Sequence, residues 1–148
     1  MLLVKVVVRP SPIHGLGAFA VAPIARGTPV WRFTPGFDLD IDPAALERQP
    51  GHFRKVLLHY GYLDPRLQRY ILCCDDARFI NHAARPNLAP DYSSDRYGVD
   101  VAVRDIAAGE ELTIDYDLVE GISPPPAPRR TASPAPGTKR TRRYPSSS

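Results

Sequence analysis

Proline and glycine interrupt this chain so often that only one stretch, residues 38–62, leaves room for helix. There Asp42 can cap, Pro43 fits a first helical position, and Ala44 to Glu47 are good helix formers. Pro50-Gly51 ends that helix. His52 to Tyr60 then sets Phe53, Val56, Leu57 and Tyr60 on one face, and Gly61 stops it. The helical insert therefore spans about 42–62. Elsewhere, β-branched and aromatic runs mark short strands over 2–8, 18–22, 29–33, 69–74, 99–104 and 112–116. Val99, Val101 and Val103 alternate onto one face. One phrase occurs twice, as Ile24-Ala25-Arg26-Gly27 and as Ile106-Ala107-Ala108-Gly109, each with glycine where a turn needs positive φ. The pattern predicts an α+β domain, mostly β, over 1–120.

Charge separates that domain from the C-terminal tail. Residues 1–120 hold 13 Lys+Arg against 16 Asp+Glu, and residues 121–148 hold 6 basic residues and no acidic one. The Pro/Ser/Arg-rich tail, 121–148, has almost nothing apolar to bury and is expected to be disordered. With Tyr144 as its one aromatic, it suits at most a weak, salt-sensitive nucleic-acid contact. The mildly acidic domain suits a basic, lysine-rich partner. Cys73 and Cys74 are adjacent, which makes a poor disulfide staple, and no Cys/His cluster offers four zinc ligands. They read as two small apolar residues buried in a strand, and no metal is expected. Residues 1–8 are apolar but short and broken by Lys5, so they form neither signal peptide nor membrane span. A soluble, intracellular, cytoplasmic protein with no membrane contact is expected.

The most unusual stretch is Arg78-Phe79-Ile80-Asn81-His82-Ala83-Ala84-Arg85-Pro86-Asn87. Pro86 fixes its own φ and pushes Arg85 toward extended geometry. Asn81 and His82 can grip a small polar ligand, or can simply bond to local backbone in a capped turn.

Three segments, in order, resemble the SET domain of protein-lysine methyltransferases. They are His14-Gly15-Leu16-Gly17-Ala18-Phe19-Ala20, Arg78 to His82 with Pro86-Asn87, and Gly109-Glu110-Glu111-Leu112-Thr113-Ile114-Asp115-Tyr116. The length is similar to that of the compact SET proteins of bacteria and large viruses. The resemblance implies a β-clip of several small curved sheets with a pseudoknot, the Tyr116 segment tucked beneath the Asn81-His82 loop. It implies S-adenosyl-L-methionine as cofactor, approached by the backbone of His14, Gly15, Leu16 and Gly17 and lined by Arg78, Phe79, Asn81 and His82. It places Tyr116 as the catalytic tyrosine. Tyr92 and Ile114 would border the substrate channel, and Ile114 lacks the hydroxyl that often limits methyl addition there. The substrate would be a lysine in a basic protein: histone-like, ribosomal or DNA-organising. Ala83-Ala84 stands where larger members carry a zinc-site cysteine. The missing cysteine-rich wall then leaves the channel for the tail, the insert or a second subunit of a homodimer to close. The alternative is a non-catalytic β-clip binding module with a basic tail for nucleic acid or a partner.

Other residues have plainer readings. Tyr97, like Tyr92, is expected either to shape the channel or to lie on the surface. Tyr60 and Tyr62 are expected in core packing, Glu110-Glu111 in solvent, and His52 and His59 as partly exposed histidines. Asp75-Asp76 is expected as a turn leading into Arg78.

Overall fold

A computed structural model of the chain describes residues 1–117. The basic tail expected over 121–148 lies outside the described residues. Among the described residues, ten short strands surround a small helical insert. Strands β1 (Val6–Pro10) and β2 (Leu16–Ala20) form a hairpin. β3 (Pro29–Arg32) leads to β4 (Leu39–Ile41), then to helices α1 (Pro43–Glu47) and α2 (Gly51–Tyr60). β5 (Tyr62–Asp64), β6 (Arg69–Leu72) and a 3-10 turn (Asp76–Phe79) come next. The domain ends with β7 (Asn81–His82), β8 (Leu88–Asp91), β9 (Val99–Ala102) and β10 (Thr113–Ile114).

The insert obeys its local signals. Asp42 accepts from Ala44 N (2.8 Å) and Pro43 opens α1, while Gly61 closes α2 through its N–H to Leu57 O (2.8 Å). Residues 39–41, expected as part of the helical stretch, instead form β4. They pair antiparallel with β6, which β5 flanks on its other side. Sheet pairing to a distant strand overrides the local pattern there.

Three other expectations shift. The first strand begins at Val6, because Leu2 N–H donates to the Asp75 carboxylate and Leu2 bridges Trp31 instead. Cys73 is buried, but both cysteines lie past the end of β6 and Cys74 is exposed. In the 99–104 run the strand stops at Ala102, and Val103 is 39% exposed.

The largest sheet has the order β3-β9-β8-β10-β7. Its knot is at β10, which runs parallel to two neighbours at once. Thr113 pairs with Asn81, Ile114 with His82, and Ile114 also with Leu88. The chain leaves β7, loops through 83–87 and returns in β8, and the later β10 lies between the two. Leu112 and Leu88 are fully buried beside it, in one core with Ala18, Val30, Ile71 and Ile106. Burying each leucine or isoleucine contributes about 1.5–3 kcal/mol.

The twice-written phrase is a structural pair. Ile24 and Ile106 exchange backbone hydrogen bonds (2.9 and 2.8 Å). Gly27 N–H donates to Ala102 O and Gly109 N–H to Ala20 O, both at 2.7 Å. Ala20 N–H donates to Glu110 O and Ala102 N–H to Thr28 O. Every bond maps onto another when the two segments exchange, so a local two-fold axis relates them. Gly27 (φ 83°) and Gly109 (φ 80°) hold equivalent left-handed positions.

Candidate active site

Asn81 is 8% exposed, and its amide nitrogen faces three acceptors. They are Leu16 O (3.0 Å), His14 O (3.2 Å) and Glu111 Oε1 (2.7 Å). Glu111 also accepts from Ser11 Oγ (2.8 Å). A Cβ at Gly17 would collide with the Glu111 carboxylate and push it off its bond to Asn81. Asn81 thus clamps the His14–Leu16 backbone in place. This is capped-turn behaviour, and it also fixes the loop that a ligand would meet.

Asn87 does the same for the knot. Its side chain is 1% exposed; Oδ1 accepts Thr113 N–H (2.8 Å), and Nδ2 donates to Glu111 O (2.7 Å) and Glu110 Oε1 (3.2 Å). Glu110 also accepts from Arg104 and from Ala107 N–H. The Arg104 hydrogen bond lowers its carboxyl to about 2, against a smaller opposing effect of burial. Glu110 and Glu111, expected in solvent, are therefore half-buried and bonded to the two motif asparagines. Their partners are some 20–30 residues away in sequence, which a local reading does not see.

Tyr116 is held at both ends. Its backbone N–H donates to His82 Nδ1 (3.1 Å) and its hydroxyl donates to Ile80 O (2.9 Å). An Nδ1 that accepts this bond carries no proton, so the Asp115 carboxylate 3.6 Å away forms no ion pair there. With its proton engaged by Ile80, the hydroxyl oxygen can serve another group only as acceptor.

Tyr116 borders a cavity with Ile114, Ile80 and Arg78. Tyr60 and Tyr62, at the end of the insert, also line it; Tyr62 packs against the core as expected, but Tyr60 is 38% exposed and is a cavity-edge residue rather than a core one. Tyr92 and Tyr97 line it from the segment between β8 and β9. The Arg66 guanidinium lies 3.5 Å above the Tyr92 ring. Tyr97 stacks on Phe33 at 3.8 Å and donates to Asp40 (2.7 Å). Burial raises the Tyr62 hydroxyl well above its ordinary value, with Cys73 and Asp100 adding to it. The same cavity is lined by Trp31, Pro90 and Asp100, which sequence reasoning passed over. Valine alternation left Asp100 without a reading; the register sets it opposite Trp31 and Pro90 on the cavity face.

His14 and Gly15 lie on an exposed loop and Leu16 and Gly17 open β2; His14 O and Leu16 O meet Asn81, and none of the four lines the cavity wall. Phe79 is half-buried and edge-on to Tyr60, with ring centroids 6.2 Å apart. The exposed Arg78 guanidinium is 5.3 Å from the Phe79 ring. Among the described residues, no three His, Cys, Asp or Glu side chains gather as a metal site requires, and no helix is long and apolar enough to cross a membrane.

A strand threaded beneath a loop, beside a tyrosine-lined cavity, defines a pseudoknotted β-clip of the methyltransferase type. The chain belongs to the SET-domain family, whose family model matches residues 15–117. No curated protein matches it. Among solved structures it is similar to the Polycomb Repressive Complex 2 of Chaetomium thermophilum, with 26% identity and a TM-score of 0.58. That match covers 78% of this chain and 16% of the other. A humanized mutant of the same complex, bound to an inhibitor, matches at 25% identity and TM-score 0.55, over 78% and 15% of the chains. A candidate histone methyltransferase of Plasmodium falciparum shares the fold at 20% identity and TM-score 0.55, over 78% of this chain and 95% of that one. The chain thus spans about a sixth of the Polycomb chains it resembles.

Proposed function

We propose that this protein is a protein-lysine N-methyltransferase that uses S-adenosyl-L-methionine. The observation that carries this reading is Tyr116, pinned by His82 and Ile80 at the edge of an aromatic cavity. The residues fit the cofactor by their chemistry. Tyrosine ring faces and oxygen atoms favour a sulfonium cation, and the His59 and Tyr60 rings lining the cavity, with Phe79 edge-on behind Tyr60, offer planar surface. Arg78 and the His14–Gly17 backbone would hold the polar ends. When bound, the cofactor supplies an electrophilic methyl carbon for in-line displacement.

The chain's own task is to present a neutral amine. Lysine has a pKa of about 10.4, so at pH 7 only about one in 2,500 is neutral, a penalty of about 4.6 kcal/mol. A desolvated aromatic cavity lowers that pKa. The Tyr116 oxygen, its proton given to Ile80, can accept an N–H and orient the nitrogen. Ile114 brings no hydroxyl to the cavity wall to limit methyl addition, so di- or trimethylation is expected.

The domain's acidic balance favours a basic protein substrate: histone-like, ribosomal or DNA-organising. Labelled cofactor in native lysate, followed by identification of the labelled lysines, would name it. Exposed Phe53, Val56 and Leu58 on α2 fit a homodimer that closes the channel, and a solution mass of one chain would argue against that. The deciding experiment is calorimetry with cofactor, together with Tyr116→Phe. Cofactor binding that survives the substitution while transfer falls supports an enzyme. No binding by the wild type supports a non-catalytic module instead.

A further inference from the structure

Among the described residues, Asp100 is the one acidic side chain lining the cavity, and nothing in the mechanism above uses it. It lies mid-strand in β9, on a single rung across the sheet with Trp31 of β3 and Pro90 of β8. All three line the cavity. The other carboxylates around this region are engaged: Asp64 holds Arg66, and Asp40 holds Arg69 and Tyr97. Among the described residues, the Asp100 carboxylate has no hydrogen-bond or ion-pair partner. Across the rung, Trp31 Nε1–H is a buried donor with no acceptor. Buried polar groups are normally satisfied, so two unpartnered groups on one rung point to a ligand.

We propose that Asp100 receives the ammonium of the substrate lysine in this cavity and takes its proton, leaving a neutral amine. This rests on reading the cavity as the lysine channel. One N–H bond of the ammonium breaks and one O–H bond forms on Asp100. The electron pair stays on nitrogen, and the carboxyl returns its proton to water between turnovers. Tyrosine faces from Tyr62, Tyr92 and Tyr97 surround the cation, and the carboxylate supplies the charge they lack.

Burial raises the Asp100 carboxyl from 3.8 to about 7, against a smaller lowering by the N-terminal ammonium. That brings it nearer to lysine, at about 10.4. The other titratable groups around it are Cys73, Tyr62 and Tyr92, with Asp64 beyond them. His59, Tyr60, Arg78, Tyr97 and Tyr116 share the cavity wall.

The test separates this role from the proposed activity. The protein has a single tryptophan, so the Trp31 indole N–H resonance reports on the site. Titration with n-butylamine, an ammonium at pH 7.5, and with n-butanol compares a charged tip with a neutral one. We expect butylammonium to bind about tenfold more tightly or better in the wild type. Asp100→Asn should remove the preference, and Asp100→Glu should restore part of it. No preference in the wild type, or one that survives in a folded Asp100→Asn protein, overturns the proposal. With poly-L-lysine as acceptor, Asp100→Asn should lose most transfer at pH 7 and recover toward pH 10, where the amine sheds its own proton. A loss equal at every pH refutes the proton step. A wild type that prefers butylammonium but transfers no methyl group defeats the enzyme reading and leaves the cation site standing.

Discussion

Replacing Asn87 with alanine removes a side chain that sews the threaded strand to the loop above it. Its main hydrogen bonds go: Thr113 N–H at 2.8 Å, Glu111 O at 2.7 Å and Glu110 Oε1 at 3.2 Å. Thr113 is 7% exposed, so its N–H loses its acceptor inside protein. Each orphaned buried group costs about 1–3 kcal/mol, and two backbone groups are orphaned. Glu110 keeps Arg104 and suffers less. The expected loss is about 3–5 kcal/mol, a large part of the roughly 5–15 kcal/mol that holds a typical domain folded. Asn87→Asp keeps the acceptor for Thr113 but sets a second carboxylate against Glu110, so it should also destabilise. Urea unfolding followed by tryptophan fluorescence gives the difference from the midpoint and slope. A loss under about 1 kcal/mol for Asn87→Ala, with an unchanged slope, would show that the knot does not depend on this side chain.

Other perturbations have equally definite expectations. Gly17→Ala pushes a methyl group into the Glu111 carboxylate and should disturb the Asn81 clamp, lowering cofactor affinity in calorimetry more than global stability. Glu110 has a lowered carboxyl, so its stabilising effect is complete above about pH 4.5 and fades toward pH 2. In Glu110→Gln that acid-side loss should shrink, by about 1–2 kcal/mol after allowing for the half-exposed Arg104, as read by urea midpoints across pH. Asp100 has the opposite sign. The folded chain holds its proton up to about pH 7, so stability falls as pH rises from about 4 through 7. Asp100→Asn should therefore gain about 2–4 kcal/mol at pH 8 and little at pH 4; a destabilised variant at pH 8 would contradict the burial argument.

The sequence made some of this architecture legible and concealed the rest for identifiable reasons. The Asp42-Pro43 start and Gly61 stop of the insert are local signals, and the chain obeys them. The motif order around Asn81 and Tyr116 carried the family and, with it, the knot. Strand β4 was hidden because its pairing with β6 depends on residues some 30 positions away. Tyr60 and Tyr62 read as core because burial and cavity lining make the same demand for aromatic surface. Asp100 was invisible for a sharper reason. Alternating valines say only which residues share a face, and only the register with Trp31 and Pro90 shows that the other face meets a cavity.

The exchange-symmetric pairing of the Ile24 and Ile106 turns also constrains when the domain can form. Each turn closes its hydrogen bonds only on the other, and the second is encoded close to the end of the described chain. A nascent chain that stops before Gly109 would hold one half of a mutual clasp, with β2 lacking the edge that completes it. Nucleation must wait for contacts between distant parts of the sequence, which makes folding slow for a domain of this size. Tyr116 is added only a few residues after the second turn. Tyr116 and the clasp that licenses the fold would thus arrive together, and a truncated product would lack both.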